Sequence, residues 1–249
     1  MTSMKNCYLT GDTHGQIGRF KQIKKFCKKN KTSKETDAVI ILGDAGLNYY
    51  ENTLDVVLKD YLNSIPITFI CIQGNHEQRP ENIATYKEIN LNSSIKGSFY
   101  YEPLYDNIYF AKNSYPFFIN GLSFFVLGGA YSVDKEYRLN LTKLGYNNYK
   151  WFQDEQLNET EKAIALDNIK ENNYYFDYIL THTCPYKYRP TEMFLPNINQ
   201  KEVDNSMEIF LDKIDDKIHY KHWYCGHWHT DKNVHKISFL FKNIEKIEV

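Results

Sequence analysis

Apolar and polar residues follow a strand–helix order through the first third of the chain. Largely apolar runs at 7–10, 38–42 and 67–72 are each followed, within two residues, by a glycine and then a polar residue, as strands buried on both faces are when they run into a turn. Between these runs, residues 17–27 and 54–62 carry apolar side chains at helical spacing. The resulting βαβαβ order predicts parallel strands joined by right-handed crossover helices.

The pattern changes after residue 98. Residues 99–127 are rich in Phe, Tyr and Ile and predict antiparallel strands, with Asn120-Gly121 as a type I′ hairpin turn. Residues 128–158 are polar and aromatic with weak periodicity, which predicts a long loop with one short helix, a candidate lid or substrate loop. The remainder predicts helices at 159–172 and 204–214, strands at 178–181 and 223–225, and one or two strands within 234–249.

Composition limits the number of domains, the partners and the cellular location that we expect. No repeat or low-complexity linker interrupts the 249 residues, so we expect a single domain over 1–249. Thirty basic and 31 acidic residues give a net charge of −1, which does not indicate a nucleic-acid partner, although a local basic groove stays open. Five cysteines without a C-x-x-C pair argue against a disulfide framework or a thiolate zinc site. A short polar stretch before the first strand and the lack of a long apolar run predict a cytoplasmic protein without a membrane span.

Metal-type ligands follow five predicted strands at the point where each strand ends. In α/β folds these strand ends open into one crevice, so the side chains can converge. Their oxygen and nitrogen donors suit Mn, Fe, Zn or Mg, and their number suits two ions about 3.5–4 Å apart rather than one. The ligands are Asp12 and His14, Asp44, Asn75, His182, and His227 with His229.

The motifs that carry these residues resemble those of the calcineurin-like metallophosphoesterase superfamily, in the same order and over residues 12–229. The resemblance implies an α/β (mixed α+β) fold, a four-layer αββα sandwich of two mixed β-sheets flanked by helices, with the dimetal site at the strand C-terminal ends. It also implies that Asp44 bridges two divalent ions, for which manganese is expected first and iron, zinc or magnesium are alternatives. The implied ligands are Asp12, His14 and His229 for the first ion and Asn75, His182 and His227 for the second. His76 would contact the phosphoryl group and protonate the leaving oxygen, so His76 and Asp44 are the expected catalytic residues.

Residues 11–16 and 74–77 show a partial likeness to protein Ser/Thr phosphatases, whose second motif continues into a phosphate-clamping arginine. No arginine follows Asp44 here, which argues against that activity. Residues 128–138 instead resemble a segment of small bacterial members of the superfamily. We therefore predict Arg138 as a substitute phosphate clamp, with Arg79 and Tyr131 as further substrate contacts.

Three functions are consistent with these features. The first is hydrolysis of a phosphate monoester by metal-activated water. The second, an alternative, is a phosphodiesterase or nuclease acting on nucleotides or nucleic acid. The third, from another class, is a metal-stabilised module that binds a phosphorylated ligand without turnover.

Overall fold

The first third of the fold alternates strands and helices, as the hydrophobic pattern predicts. A computed structural model describes residues 3–146 and 148–249. It contains β1 (Asn6–Thr10), α1 (Ile17–Asn30), β2 (Asp37–Ile41), α2 (Thr53–Asn63) and β3 (Thr68–Cys71). The three strands pair in parallel, which confirms the predicted βαβαβ unit.

The middle of the chain forms mostly antiparallel strands. They are β4 (Lys87–Asn92), β5 (Ile95–Tyr101), β6 (Ile108–Ala111), β7 (Pro116–Ile119) and β8 (Leu122–Leu127). Asn120 and Gly121 join β7 to β8 with φ angles of 49° and 89°, the two positive values that a type I′ turn requires. The predicted hairpin is therefore confirmed. We did not predict β4, whose largely exposed polar residues give little strand signal.

Among the described residues, the last part of the chain adds three α-helices and five strands. They are α3 (Lys135–Lys143), α4 (Glu159–Glu171), β9 (Tyr175–Thr181), α5 (Ser206–Asp215), β10 (His219–Cys225), β11 (Lys232–Val234), β12 (Ile237–Phe239) and β13 (Glu245–Ile247). Helix α3 is the short helix expected within 128–158, of which residue 147 lies outside the described residues. Asn158 and Glu161 form a capping box that fixes where α4 begins. The strands β12 and β13 lie within 234–249, as predicted, whereas β11, which comes just before them, was not predicted.

All thirteen strands join one curled mixed sheet. Its hydrogen-bonded path runs β11-β12-β10-β9-β8-β7-β5-β6-β3-β2-β1-β13, with β4 paired to β5. One apolar cluster unites residues of both halves, among them Ile40 and Leu180, and so fills the inside of the curl. Two further clusters cover the outer faces, one packed against α1 and α2 and the other against α4 and α5. The mixed α/β class is confirmed, while the description as two sheets in four layers stays a prediction.

A buried carboxylate reinforces the pairing of β8 with β9. Asp177 accepts hydrogen bonds from the backbone nitrogen and hydroxyl of Ser123 at 2.8 and 3.0 Å, and Lys221 lies 2.7 Å away. Burial alone would raise the pKa of Asp177, but the hydrogen bonds from Lys221 and Ser123 outweigh it and lower the pKa. The ionised form of Asp177 therefore stabilises the fold.

The helices within residues 3–146 and 148–249 are all too short or too polar to cross a bilayer. The five cysteines are buried free thiols, consistent with the expected lack of a disulfide framework.

Candidate functional site

The curl of the sheet brings two sets of strand ends into contact. β1, β2 and β3 supply one set, and β9 and β10 supply the other. His182, just after β9, donates a hydrogen bond from Nδ1 to the Leu42 carbonyl at 2.8 Å, and Gly226 donates to the His182 carbonyl at 2.9 Å. Residues more than a hundred positions apart therefore share one site.

A first group of ligand-type atoms surrounds Asp12. One ligand atom each from Asp12, His14 and His229 can be chosen so that all lie within 4.8 Å of one another. The Asp12 Oδ2 atom is 3.1 Å from Nε2 of His229 and 3.6 Å from Nε2 of His14. The two histidine Nε2 atoms face each other at 2.8 Å. These are the three residues that the family resemblance assigned to the first ion.

Asp44 lies between this group and a second one. Its Oδ2 atom is 3.7 Å from His14 Nδ1 and 3.6 Å from His182 Nε2. Asp12, Asp44 and His182 form the second group whose ligand atoms all approach within 4.8 Å. The position of Asp44 between the groups is the one that a bridging ligand would need.

The second group continues through Asn75. Its Oδ1 atom lies 2.8 Å from Nε2 of His182, while its amide nitrogen donates to the Ser132 hydroxyl at 2.8 Å. Since the Leu42 carbonyl can only accept, Nδ1 of His182 carries a proton. A second proton on Nε2 would donate to Oδ1, and a cation that displaced this proton would lie between the same two atoms. His227 completes this side, with its ring centroid 5.0 Å from that of His182.

The electrostatics of the cluster favour a cation. Asp12 and Asp44 are both 1% exposed, and Asp12 Oδ2 has no hydrogen-bond partner among the described residues. Burial opposes the charge on each carboxylate, but the surrounding histidines prevail and lower both pKa values. Burial would also lower the pKa of His182, yet the Asp44 carboxylate raises it to about 9. Two buried negative charges thus hold a proton on His182, and a divalent ion would balance them more fully.

Burial and the neighbouring His182 act in the opposite direction on His227. Together they lower its pKa to about 3, which leaves the ring neutral and able to act as a ligand. The donor set of carboxylates, amide and imidazoles therefore fits divalent ions of the Mn, Fe and Zn type.

The backbone at the site adopts left-handed conformations. φ is positive at His14, Asp44, His227 and His229, with values between 47° and 64°. Such angles are uncommon for residues with a Cβ, and they persist where surrounding contacts impose them. Here His76 donates its backbone N–H to Asp44 Oδ1 at 2.8 Å and His227 donates to Asp12 Oδ1 at 2.9 Å.

Two motif glycines allow the close packing. A Cβ on Gly43 would lie 2.0 Å from Nδ1 of His182, and one on Gly74 would lie 1.9 Å from Oδ1 of Asp44. The glycines that end these strands are therefore required by close approach of the ligands.

Glu77 joins two of the motif loops. Its carboxylate accepts hydrogen bonds from the backbone nitrogens of Gly74 at 3.0 Å and Gly46 at 3.3 Å. Burial and the nearby Asp44 charge raise the pKa of Glu77 to about 8. Glu77 therefore orients the Gly46 and Gly74 backbone beside the ligands.

A cavity of about 390 Å³ opens in front of the ligands. His76 lines it together with Asp44 and Asn75. Burial lowers the pKa of His76, so its ring is neutral at pH 7, and Nδ1 has no partner within the described residues. The His76 side chain would therefore contact a ligand bound in the cavity.

The three predicted substrate contacts differ in placement. Arg138 and Tyr131 line the cavity, and Arg138 is held by Asp134 at 2.8 Å and by the Tyr49 hydroxyl at 2.7 Å. Arg79 does not line the cavity and is 4% exposed. Its donors reach the carbonyls of Asp154 and Gln156, each at 2.8 Å, and the carboxylate of Glu161. The structure therefore brings Arg138 and Tyr131 to the site. Arg79 instead connects its own loop to residues 154–161.

Two features of the cavity were missed by sequence reasoning. Ser132, which orients Asn75, lies within the 128–138 segment from which only Tyr131 and Arg138 were predicted to act at the site. The wall opposite the ligands comes from residues 189–205, where scattered apolar residues among Pro, Asn and Gln give no periodic signal. Trp228, which lies between the ligands His227 and His229, continues this surface. We call the whole surface the apolar wall; it consists of Met193, Phe194, Leu195, Ile198, Val203 and Trp228.

Comparison with known proteins agrees with the geometry. The family model of the calcineurin-like phosphoesterases matches residues 6–231, which include every predicted ligand. No curated protein matches the chain.

Proposed function

Because this chain belongs to the calcineurin-like phosphoesterase family, we propose that it is a dimetal-dependent phosphoesterase that hydrolyses a phosphate monoester. The family is generally one of hydrolases that act on phosphoester bonds. The observation that carries the proposal is the buried cluster around Asp12, Asp44 and His182, which opens into a cavity also lined by His76 and Arg138.

The ligand residues would hold two divalent ions. Asp12, His14 and His229 would hold the first, and Asn75, His182 and His227 the second, with Asp44 shared between them. When bound, such ions lower the pKa of water and offset the charge of phosphate oxygens. Manganese is our first choice, since the donor set contains no thiolate and mixes carboxylates with imidazoles.

The chain's own residues would orient the ester. Arg138 would pair its guanidinium with phosphate oxygens, since Asp134 and Tyr49 hold it at the cavity wall. The His76 ring would donate its N–H to a phosphoryl oxygen. To protonate the leaving oxygen it would first take up a proton from water, because only the imidazolium can release a proton and return to the neutral ring. The charge of Arg138 suits a dianionic monoester, which is why we place the monoester ahead of the diester.

Turnover by metal-loaded protein tests this proposal. Protein dialysed against Mn²⁺ is expected to hydrolyse p-nitrophenyl phosphate faster than bis-p-nitrophenyl phosphate, and chelation should abolish both activities. Asp44→Asn and His76→Ala should each lower kcat by about 10²–10⁴-fold, the range for loss of a group acting on the transition state.

His219→Ala is the matched control, because His219 is exposed and does not line the cavity. It should retain wild-type activity. Full activity in Asp44→Asn would contradict the proposal, and a faster diester reaction would favour the phosphodiesterase alternative. Stable phosphonate binding without turnover would favour the non-catalytic module.

A further inference from the structure

The cavity in front of the ligands is larger than the ligand cluster requires. Its volume of about 390 Å³ falls in the range of about 300–1,000 Å³ typical of sites for organic ligands. If the phosphate sits at the ligand end, as the proposed function requires, the alcohol part of the ester must occupy the remainder. The chemistry of that remainder therefore selects the substrate.

The remainder is bounded mainly by the apolar wall. Met193 and Leu195 are 38% and 58% exposed, although long apolar side chains in contact with water are unfavourable. Phe194 stacks against Trp228 with ring centroids 5.8 Å apart, which presents a continuous aromatic surface beside the ligand His229. This surface is suited to covering an apolar group.

One buried carboxylate interrupts this surface. Glu208 lines the cavity and is 4% exposed. Its Oε1 atom accepts a hydrogen bond from the Thr183 hydroxyl at 2.8 Å, whereas Oε2 has no partner in the part of the chain that the structure describes. A buried acceptor without a partner costs free energy, so a ligand donor that satisfies it would be recognised strongly.

We propose that the apolar wall and Glu208 form the leaving-group site, which binds an apolar or aromatic alcohol moiety that carries a hydrogen-bond donor toward Glu208. This inference rests on the proposed function for the position of the phosphate. It names the substrate class as organic phosphate esters with an apolar body and a polar tip, rather than small polar sugar phosphates or phosphoserine.

Binding of non-hydrolysable phosphonates to Mn²⁺-loaded protein tests the apolar part. In 3-phenylpropylphosphonate and propylphosphonate a methylene replaces the ester oxygen, and isothermal titration gives Kd for each. We expect the phenyl group to tighten binding by at least about tenfold, as apolar groups do in a fitted pocket. Leu195→Asn should reduce this advantage. Leu104→Asn, which alters an 82% exposed leucine away from the cavity, should keep it.

A second pair of ligands tests Glu208. We expect 3-(4-hydroxyphenyl)propylphosphonate to bind about tenfold more tightly than its 4-methoxy analogue, since only the former donates a hydrogen bond to the carboxylate. Glu208→Gln can keep the Thr183 contact through its amide oxygen but offers the ligand an amide N–H₂ instead of an acceptor, so the preference should disappear.

Different results would overturn the apolar site, the role of Glu208 and the proposed function. Equal Kd values with and without the phenyl group, or an equal response of the Leu195 and Leu104 variants, would overturn the apolar site. An unchanged hydroxy-to-methoxy ratio in Glu208→Gln would overturn the role of Glu208. Failure to hydrolyse 2-phenylethyl phosphate despite selective phosphonate binding would overturn the proposed function and leave the leaving-group site intact.

Discussion

Arg79 provides a quantitative test of how the segment behind the site is anchored. Its guanidinium donates to the carbonyls of Asp154 and Gln156 and pairs with Glu161 at the start of α4. Arg79→Met keeps most of the side-chain volume but removes all of these donors. The change therefore separates a role in folding from the substrate contact predicted from the sequence.

The magnitude follows from burial. Glu161 is 19% exposed and can regain water, so its carboxylate contributes little to the loss. The two carbonyls each lose a hydrogen bond from a charged donor, worth about 1.5–3 kcal/mol. We expect Arg79→Met to lower the free energy of unfolding by about 3–6 kcal/mol, the sum for the two hydrogen bonds.

Urea unfolding followed by tryptophan fluorescence measures this loss, with Arg138→Met as the matched variant. Arg138 is held at the cavity wall, so its replacement should mainly raise KM for p-nitrophenyl phosphate. Neutral surface substitutions change the free energy of unfolding by up to about 0.5 kcal/mol. If Arg79→Met stayed within that range of wild type and its KM rose, Arg79 would be a substrate contact and the reasoning would be refuted.

Three further predictions address the site and the sheet. Gly43→Ala should abolish Mn²⁺ binding, measured by titration, because its Cβ would lie 2.0 Å from the His182 ring. Gly121→Ala has a similar φ but open space around the Cβ, so this variant should lose folding stability and still bind Mn²⁺. Ser132→Ala should weaken Mn²⁺ affinity about 10–100-fold in the same titration, since the hydroxyl orients a ligand amide. Asp177→Asn should destabilise the protein in urea at pH 7; because the folded pKa of this carboxyl is lowered, its contribution is lost as the pH falls below about 4, and the gap to wild type should narrow at pH 3.

The sequence predicted the ligand side of the site because strand ends carry a local signal. A continuous apolar run followed by Gly and Asp, as at Leu42-Gly43-Asp44, indicates both the strand and the position of its ligand. The parallel order of the strands then places several such ends along one edge. No knowledge of distant contacts is needed for this step.

The rest of the site depends on contacts without a local signal. Arg79 and Glu161 are 82 positions apart, and nothing near Arg79 indicates that it turns away from the cavity. The apolar wall was missed because its longest apolar run, residues 193–195, is only three residues long and ends at Pro196, and Ile198 lies between two asparagines, as in an ordinary surface loop. Only the fold shows that this loop covers the cavity.

The most direct test of the central claim is anomalous diffraction at the manganese edge from crystals grown with Mn²⁺. We predict two peaks about 3.5–4 Å apart, with the Asp44 carboxylate between them. Crystals that show no peak at Asp12, Asp44 and His182, or a single ion that leaves Asp44 without contact, would contradict the account.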